Sequence, residues 1–516
     1  MYPGGVPGIT TSGANDGVRS RFVRTLLGYG SGAMYGVHNS SPANLIRGIA
    51  ERVLFLADGG ELRPTPKPSF GVFERLRSVK ERLLEKLSTT PVVERADYPS
   101  LYHGRKREIY QRAYESLCVK PIRVQDSYVS TFVKAEKVNF TAKPDPAPRV
   151  IQPRSPRYNL MVGRYLKPFE HELVAGFRRA WGYSVVCKGM NADKVAEQLR
   201  DNWDQFDDPV AVGLDAHRFD QHVSRDALKF EHSVYNAVFH SKELMYLLSW
   251  QLHNKGFGRI GDFLAKYTVD GCRMSGDINT GMGNCLLMSL LVLNYFDEYG
   301  IRARLTNNGD DCVVICSKRD LPRLRQLAPY FLKFGFRLAI EEPVVVFERI
   351  VFCQAQPVWV GSSWRMVRNP WTAMSKDCVS LLPWDTEAQF ETWRAAIGDC
   401  GLELTRGVPM WEKFYAAIKG QSQRRGGLER IYDSGLGYMA TGVRQDAEVT
   451  AESRYSFWLA FDIMPDLQVA IEDSYPDIIY SPNVPMKLNL ISKFPTPLSC
   501  LQNATSSKAV VPTTVS

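Results

Sequence analysis

The stretch IRARLTNNGDDCVVIC, residues 301–316, places two short apolar runs on either side of a tight polar turn. Asn308-Gly309 between such runs is the strongest short-range signal for a β-hairpin. The reading predicts two antiparallel strands with Asp310 and Asp311 at a rigid tip. Asn, Gly and Asp form turns in any protein, so the tetrad alone is structural as readily as functional. The apolar flanks add the functional reading. Two carboxylates fixed at one point repel, and a divalent cation relieves them. Mg²⁺ takes oxygen ligands, typically one or two carboxylates together with substrate phosphates.

Working outward, VAVGLD (210–215) reads as a buried strand that delivers Asp215, and Asp220 follows within DAHRFDQHVS. Asp215 alone reads as a residue that ends a strand. Two strands each presenting an acid make the frame of a two-metal clamp, with metals ~3.5–4 Å apart across an in-line displacement. His217 and His222 flank these acids without a zinc-binding spacing and read as residues that orient their neighbours. In SGDINTGMGN (275–284), Ser275-Gly276 permits a turn before a helix, and Thr280 and Asn284 share one helix face. A hydroxyl and an amide opposite Asp220 suit a ribose 2′-hydroxyl, which both donates and accepts. The bland alternative is a capped helix start packed on a sheet. Residues 129–159 carry Lys134, Lys137, Lys143, Arg149, Arg154 and Arg157, with prolines 144, 146 and 148 forcing an extended path. Stiff chain displaying Lys and Arg suits triphosphate, and equally reads as a solvated basic loop.

Elsewhere the pattern predicts helices over 70–87 and 105–117, then strands over 128–133 and 149–152. A long helix is expected from Ser224 to about Asn254, and another from Thr280 to Tyr299. Residues 322–334 read as helix, 344–360 as a second β-pair, and the chain beyond 370 as mainly helical. Residues 1–20 and 502–516 read as loose segments and 60–68 as a loop. The order is α+β, without the alternation of βαβ units.

The 516 residues are 44% hydrophobic and 23% charged, which excludes wholesale disorder. No apolar run approaches the ~20 residues of a membrane span, and the first residues lack the pattern of a signal peptide. The ten cysteines are scattered without a CxxC pair and read as reduced thiols. HExxH, P-loop and GxSxG motifs are absent. Residues 1–160 hold 25 Lys and Arg against 14 Asp and Glu, a net of +11, so the remainder nets −2 of the chain's +9. Such asymmetry suggests a polyanionic partner, nucleic acid before an anionic membrane, with a merely solvated basic surface as the alternative.

In this order and spacing, the segments resemble the signature set of viral RNA-dependent RNA polymerases, most closely the tombusvirus family of carmovirus-like plant viruses. The likeness covers roughly 20–480 and is sharpest over 129–160 and 205–360. DAHRFD resembles motif A, which implies Asp215 as metal ligand and Asp220 as reader of the sugar. SGDINTGMGN resembles motif B, implying nucleotide contacts from Ser275, Gly276, Thr280 and Asn284. Gly309-Asp310-Asp311 resembles motif C, with Asp310 the principal and Asp311 the secondary metal ligand. FVKAEK through RVIQPR resembles motif F, lining the nucleotide channel with Lys134, Lys137, Lys143, Arg149 and Arg154, of which Arg149 best matches the triphosphate arginine. LKFGFRL resembles motif D, with Lys333 as general acid toward pyrophosphate, and FERIVFCQ resembles motif E beside the priming nucleotide.

The resemblance implies a right hand. Residues 1–20 would be a flexible segment, 21–204 fingers with an N-terminal extension, 205–362 palm with part of the fingers inserted, 363–500 a mainly helical thumb, and 501–516 a flexible tail. It implies RNA-directed synthesis on a positive-strand genome, with ribonucleoside triphosphates added to a 3′-hydroxyl, Mg²⁺ or alternatively Mn²⁺ as cofactor, and initiation without a primer. Implied partners are RNA template and product, the triphosphates and a viral membrane-associated auxiliary protein, with host membrane reached only indirectly. The implied location is host cytoplasm at membrane-associated replication complexes. Family members commonly extend by readthrough or frameshift from such a membrane-associated protein, so this chain is expected to be a downstream portion. Three alternatives stand beside this reading. A reverse transcriptase or DNA-templated enzyme is one, opposed by Asp220 and Asn284. An RNA-binding factor with a decayed site and a membrane scaffold are the others.

Overall fold

Alternation within the apolar runs sorts the central strands between two cores. In chain order these elements are β1 (Pro209–Ala216), the helix α1 (Thr280–Tyr299), β2 (Ala303–Asn308), β3 (Asp311–Ser317) and β4 (Leu338–Ile340). The sheet runs β2-β3-β1-β4 with every neighbour antiparallel. Val210, Val212 and Leu214 of β1 join Cys312, Val314 and Cys316 of β3 in the core that α1 fills with Leu286, Leu290 and Leu293. Ala211, Val313 and Ile315 belong to a second core with Ala196, Leu199 and Trp203 of the helix Ala192–Trp203. A strand covered on both faces reads as a continuous apolar run, as VAVGL and CVVIC do. The helix α1 is buried without interruption from Met282 to Phe296 and serves as the central post of the larger core.

The computed structural model describes residues 5–27, 33–58, 60–423, 427–475 and 481–482. The α+β expectation holds. No helix among the described residues is long and apolar enough to cross a membrane. The nine cysteines among the described residues are free thiols.

Several local expectations are corrected. Asn308 pairs with Asp311, so the two-residue loop is Gly309-Asp310, one residue beyond the expected Asn308-Gly309. Gly309 takes φ 90°, which suits the first loop position of a type II′ turn. The expected helix from Ser224 to Asn254 is two helices, Arg225–Phe239 and Lys242–Ser249. His240 turns left-handed at φ 46°, and Ser241 caps the second helix by accepting from the Leu244 N–H. The chain then enters an unanticipated hairpin, His253–Ile260 against Phe263–Asp270, whose Gly261-Asp262 loop is itself a hairpin signal. The β-pair expected within 344–360 does not form. Val344 only bridges to Ala211, and Ala355–Trp359 pairs onward with Trp364–Arg368. Residues Ile9–Ser12, expected to be loose, form a strand against Leu264–Tyr267. Glu61–Arg63, expected to be loop, pairs with Leu56–Asp58. The expected tail 501–516 lies outside the described residues.

A separate core gathers residues from Val358 to Tyr475 and takes in Leu26 from the N-terminal region. Arg24–Leu27 pairs with Val379–Ser380, and Arg24 reaches Asp385 at 2.9 Å. The early chain is thus tied at one point to the hairpin 253–270 and at another to the C-terminal helices. Ala355 and Met366 sit in the core beneath the central sheet while Val358 and Val367 sit in the C-terminal one, so the hairpin Ala355–Arg368 is shared across the expected 362/363 boundary.

Candidate active site

Strand register performs the first half of the assembly. Asp215, near the end of β1, lies directly opposite Asp311, the first residue of β3, and Asp310 occupies the adjoining loop. All three side chains are exposed, and none enters an ion pair among the described residues. Asn307, buried beneath the loop, holds it by donating to the Gly309 carbonyl at 2.7 Å and accepting from the Gly309 N–H at 3.2 Å. A fourth acid arrives unannounced by the sequence. Glu341 follows β4, its N–H donates to the Gly213 carbonyl at 2.9 Å, and its carboxylate occupies the space a Cβ on Gly213 would need. Glycine at 213 is what admits it.

Partial desolvation by the surrounding protein, then the charges of Asp310, Asp215 and Glu341, push the Asp311 carboxyl above its ordinary range. Glu341 is raised by burial and by Asp215. Four crowded carboxylates with no opposing cation form a donor set suited to a hard divalent ion. Among the described residues no three His, Cys, Asp or Glu side chains are drawn into a ready-made metal cage.

Asp220 lies in the short helix Phe219–His222, entered through Arg218 at φ 48°. Burial raises its carboxyl, partly offset by the Asn284 amide, which donates to Oδ1 at 2.7 Å. The pair therefore meets as the residue pattern suggests. The other segment residues are used differently. Ser275 accepts from the Gln152 N–H and donates to the Val150 carbonyl, both at 3.2 Å. Gly276 bridges to Pro153, so closely that a Cβ would stand 2.6 Å from the Pro153 Cα. Thr280 gives its hydroxyl to the Met274 carbonyl at 2.8 Å. Ser275 and Gly276 clamp the turn before α1 onto the basic stretch, and Thr280 closes that turn.

In the basic stretch, Phe132–Val133 pairs with Val150–Ile151 and brings Lys134 beside Arg149. Glu136 serves both, at 2.8 Å from Lys134 and 3.1 Å from Arg149, so one positive charge remains in surplus. The Arg149 charge reaches Asp220. Lys143 is exposed in the proline-rich loop. Two expected phosphate ligands are corrected. Arg154 is 3% exposed, and its guanidinium is spent on Asp277, the Ser127 carbonyl (2.5 Å) and Asn254 (2.6 Å). The Lys137 side chain is buried against Asp433 at 3.4 Å and the Lys376 carbonyl at 3.3 Å, joining this stretch to the C-terminal helices. Both are structural because burial demands full pairing of a cation.

Sequence reading missed Arg52. It lies in a π-helix, Ala50–Leu54, and donates to the Ala147 carbonyl at 3.2 Å. Burial, followed by the charges of Arg218 and Arg149, lowers its pKa to about 10. Arg218 in turn bonds the Glu51 carbonyl. The charges of Arg52, Arg218 and Arg149 are thus close enough to act on one another. A π-helical turn has no simple sequence signature, although such turns recur at functional sites. Lys333 ends the helix Leu327–Lys333, exposed, with its carbonyl accepting from the Ser69 N–H at 2.8 Å. The cations whose charges reach both His217 and His222 are Arg218 and Arg337. His222, pressed by burial to a pKa of about 4, bonds the Arg218 carbonyl through Nδ1 at 3.1 Å and steadies that turn.

A family model described as viral RNA-dependent RNA polymerase matches residues 9–480. The chain is similar to the RNA-directed RNA polymerase of turnip crinkle virus, 44% identical over 461 residues that make up 88% of this chain and 59% of that protein. It is 45% identical over 466 residues to that of melon necrotic spot virus, covering 89% and 59%. For tobacco necrosis virus strain A the values are 43% over 453 residues, 87% and 63%. The chain thus spans about three fifths of the length of these curated relatives.

Proposed function

The chain belongs to the viral RNA-dependent RNA polymerase family, and from that premise we propose that it carries out template-directed RNA synthesis at the end of the β1–β3 ladder. The observation that carries this reading is the strand register that sets Asp215 against Asp311 with Asp310 beside them, uncompensated by any ion pair among the described residues. Two divalent cations, Mg²⁺ or alternatively Mn²⁺, held by Asp215 and Asp310 with Asp311 adjacent, would supply activation of the 3′-hydroxyl and neutralisation of the triphosphate.

The chain's own groups do the rest. Arg149, with Lys134 and the Arg52–Arg218 pair behind it, balances negative charge on the phosphates. Lys143, exposed in the proline-rich loop, is assigned to the same role. Asp220 and Asn284 select ribose by accepting from and donating to its 2′-hydroxyl. Lys333, exposed and bearing a transferable proton, is proposed as donor to the departing pyrophosphate. A lowered kcat at unchanged KM in Lys333→Ala would support it, and an unchanged kcat would remove it. The central sheet with α1 is proposed as the palm, the basic stretch with its neighbouring hairpin as fingers, and the core from Val358 to Tyr475 as thumb.

Initiation without a primer, recruitment to membranes by a separate viral protein and action at cytoplasmic replication complexes belong to the same proposal and rest on the likeness to the family. The test is incorporation by the purified chain on a short unprimed RNA with Mg²⁺ and four ribonucleotides. Products complementary to the template support the reading. Template binding without incorporation would leave an RNA-binding factor instead.

A further inference from the structure

Behind Asp220 and Asn284 lies a buried ion pair that none of the polymerase-like segments accounts for. Arg273, two residues before Ser275, is 1% exposed, and Glu231, on the helix Arg225–Phe239, is fully enclosed. Arg273 grips Glu231 with both terminal nitrogens, one of them at 3.1 Å. Glu231 also accepts from the Asn279 amide at 2.7 Å and the Tyr235 hydroxyl at 2.8 Å. With its carboxylate answered by four donors, the pair is rigid as well as neutral.

The Nε donor of Arg273 points the other way. Its Nε–H reaches the Asn284 side chain at 3.1 Å, and its backbone N–H bonds the Asp220 carbonyl at 2.9 Å. A guanidinium has no acceptor, so the Asn284 atom facing it is the carbonyl oxygen. The amide NH₂ is then turned to Asp220, where it donates at 2.7 Å. The reversed amide would set its carbonyl against a carboxylate and its NH₂ against a guanidinium, and both contacts repel. We propose that Arg273, braced by Glu231, is a positioning residue for sugar selection: it fixes the Asn284 amide so that one N–H holds Asp220 and the other faces the 2′-hydroxyl. This rests on the ribose-selecting role assigned above to Asp220 and Asn284. The same packing explains Gly283, where a Cβ would stand 2.6 Å from Arg273 Nη2 and collide with the Glu231 carboxylate.

The experiment compares kcat/KM for a ribonucleotide and its 2′-deoxy counterpart in single additions by the full chain. Arg273→Lys keeps a cation for Glu231 and loses the Nε donor. Glu231→Gln keeps the acceptor for Tyr235 and loses the charge that braces Arg273. Each is expected to retain a cooperative unfolding transition and to lower the ribose-over-deoxyribose ratio about tenfold. A folded Arg273→Lys with an unchanged ratio, alongside an Asp220→Ala that loses discrimination, would overturn the positioning role and leave the site reading intact. An Asp220→Ala that keeps discrimination would sink the site reading itself. The unaltered chain provides an arm independent of variant folding. A 2′-fluoro nucleotide, which cannot donate to Asp220, is expected to be used less well than the ribonucleotide. Its use at ribonucleotide efficiency would contradict the fixed geometry.

Discussion

Two sets of acids lie close together in this molecule and are treated in opposite ways. Asp215, Asp310 and Asp311 stand exposed at strand ends, crowded and without a cation. Asp277 and Glu231 are buried, and each is matched by an arginine, Arg154 and Arg273. Burial forces neutralisation within the protein, because an unpaired charge away from water is heavily penalised. Exposure lets a cluster remain unmatched, and that leaves a place for ions and substrate. The paired set gives the site its shape, and the unmatched set gives it its chemistry.

The contrast breaks most visibly at Asp310. Asp310→Asn should lower nucleotide incorporation by at least about a thousandfold, the scale of a lost metal ligand, while leaving the unfolding midpoint nearly unchanged. A variant that unfolds instead would show the exposed acids to be structural. The opposite substitution is Asp277→Asn, which strands the Arg154 guanidinium. Chemical denaturation should record a loss of about 3–5 kcal/mol, and a protein as stable as the wild type would mean the buried pair contributes nothing. Arg149→Ala should raise the nucleotide KM about tenfold, the value of one charge-assisted phosphate contact. Lys134→Ala should do less, because its loss frees Glu136 to hold Arg149 alone. Equal effects would mean the two cations do not share that carboxylate. The smallest effect is a sharpening one. Asp311→Asn should slightly raise the unfolding midpoint of metal-free protein, since it removes a charge that Asp310, Asp215 and Glu341 all oppose. A lowered midpoint would show that the acids are not crowded.

What the sequence disclosed follows the range of the interactions concerned. The hairpin at 303–317 and the strand ending at Asp215 are local patterns with both faces buried, so apolar runs and turn residues reveal them. The helix expected through Asn254 failed because apolar spacing continues across His240, and only the left-handed backbone there breaks it. The alternation in FGRIGDFLAKY lies just beyond that helix, and the sequence reading assigned it no element. Arg154 and Lys137 show the limit of charge counting. Each sits in a basic stretch, and only the fold reveals the carboxylate waiting for it at Asp277 or Asp433. Glu231, Glu341 and Arg52 reach the site through packing between distant segments, which spacing in one chain does not encode.

The central claim is that unmatched acids at the β1–β3 end await divalent cations. Mn²⁺ binding followed by electron paramagnetic resonance, with nucleotide present, tests it directly on the wild type and Asp310→Asn. The account predicts that the wild type immobilises Mn²⁺ and that Asp310→Asn, folded to the same unfolding transition, does not. Equal binding by the two proteins would contradict it.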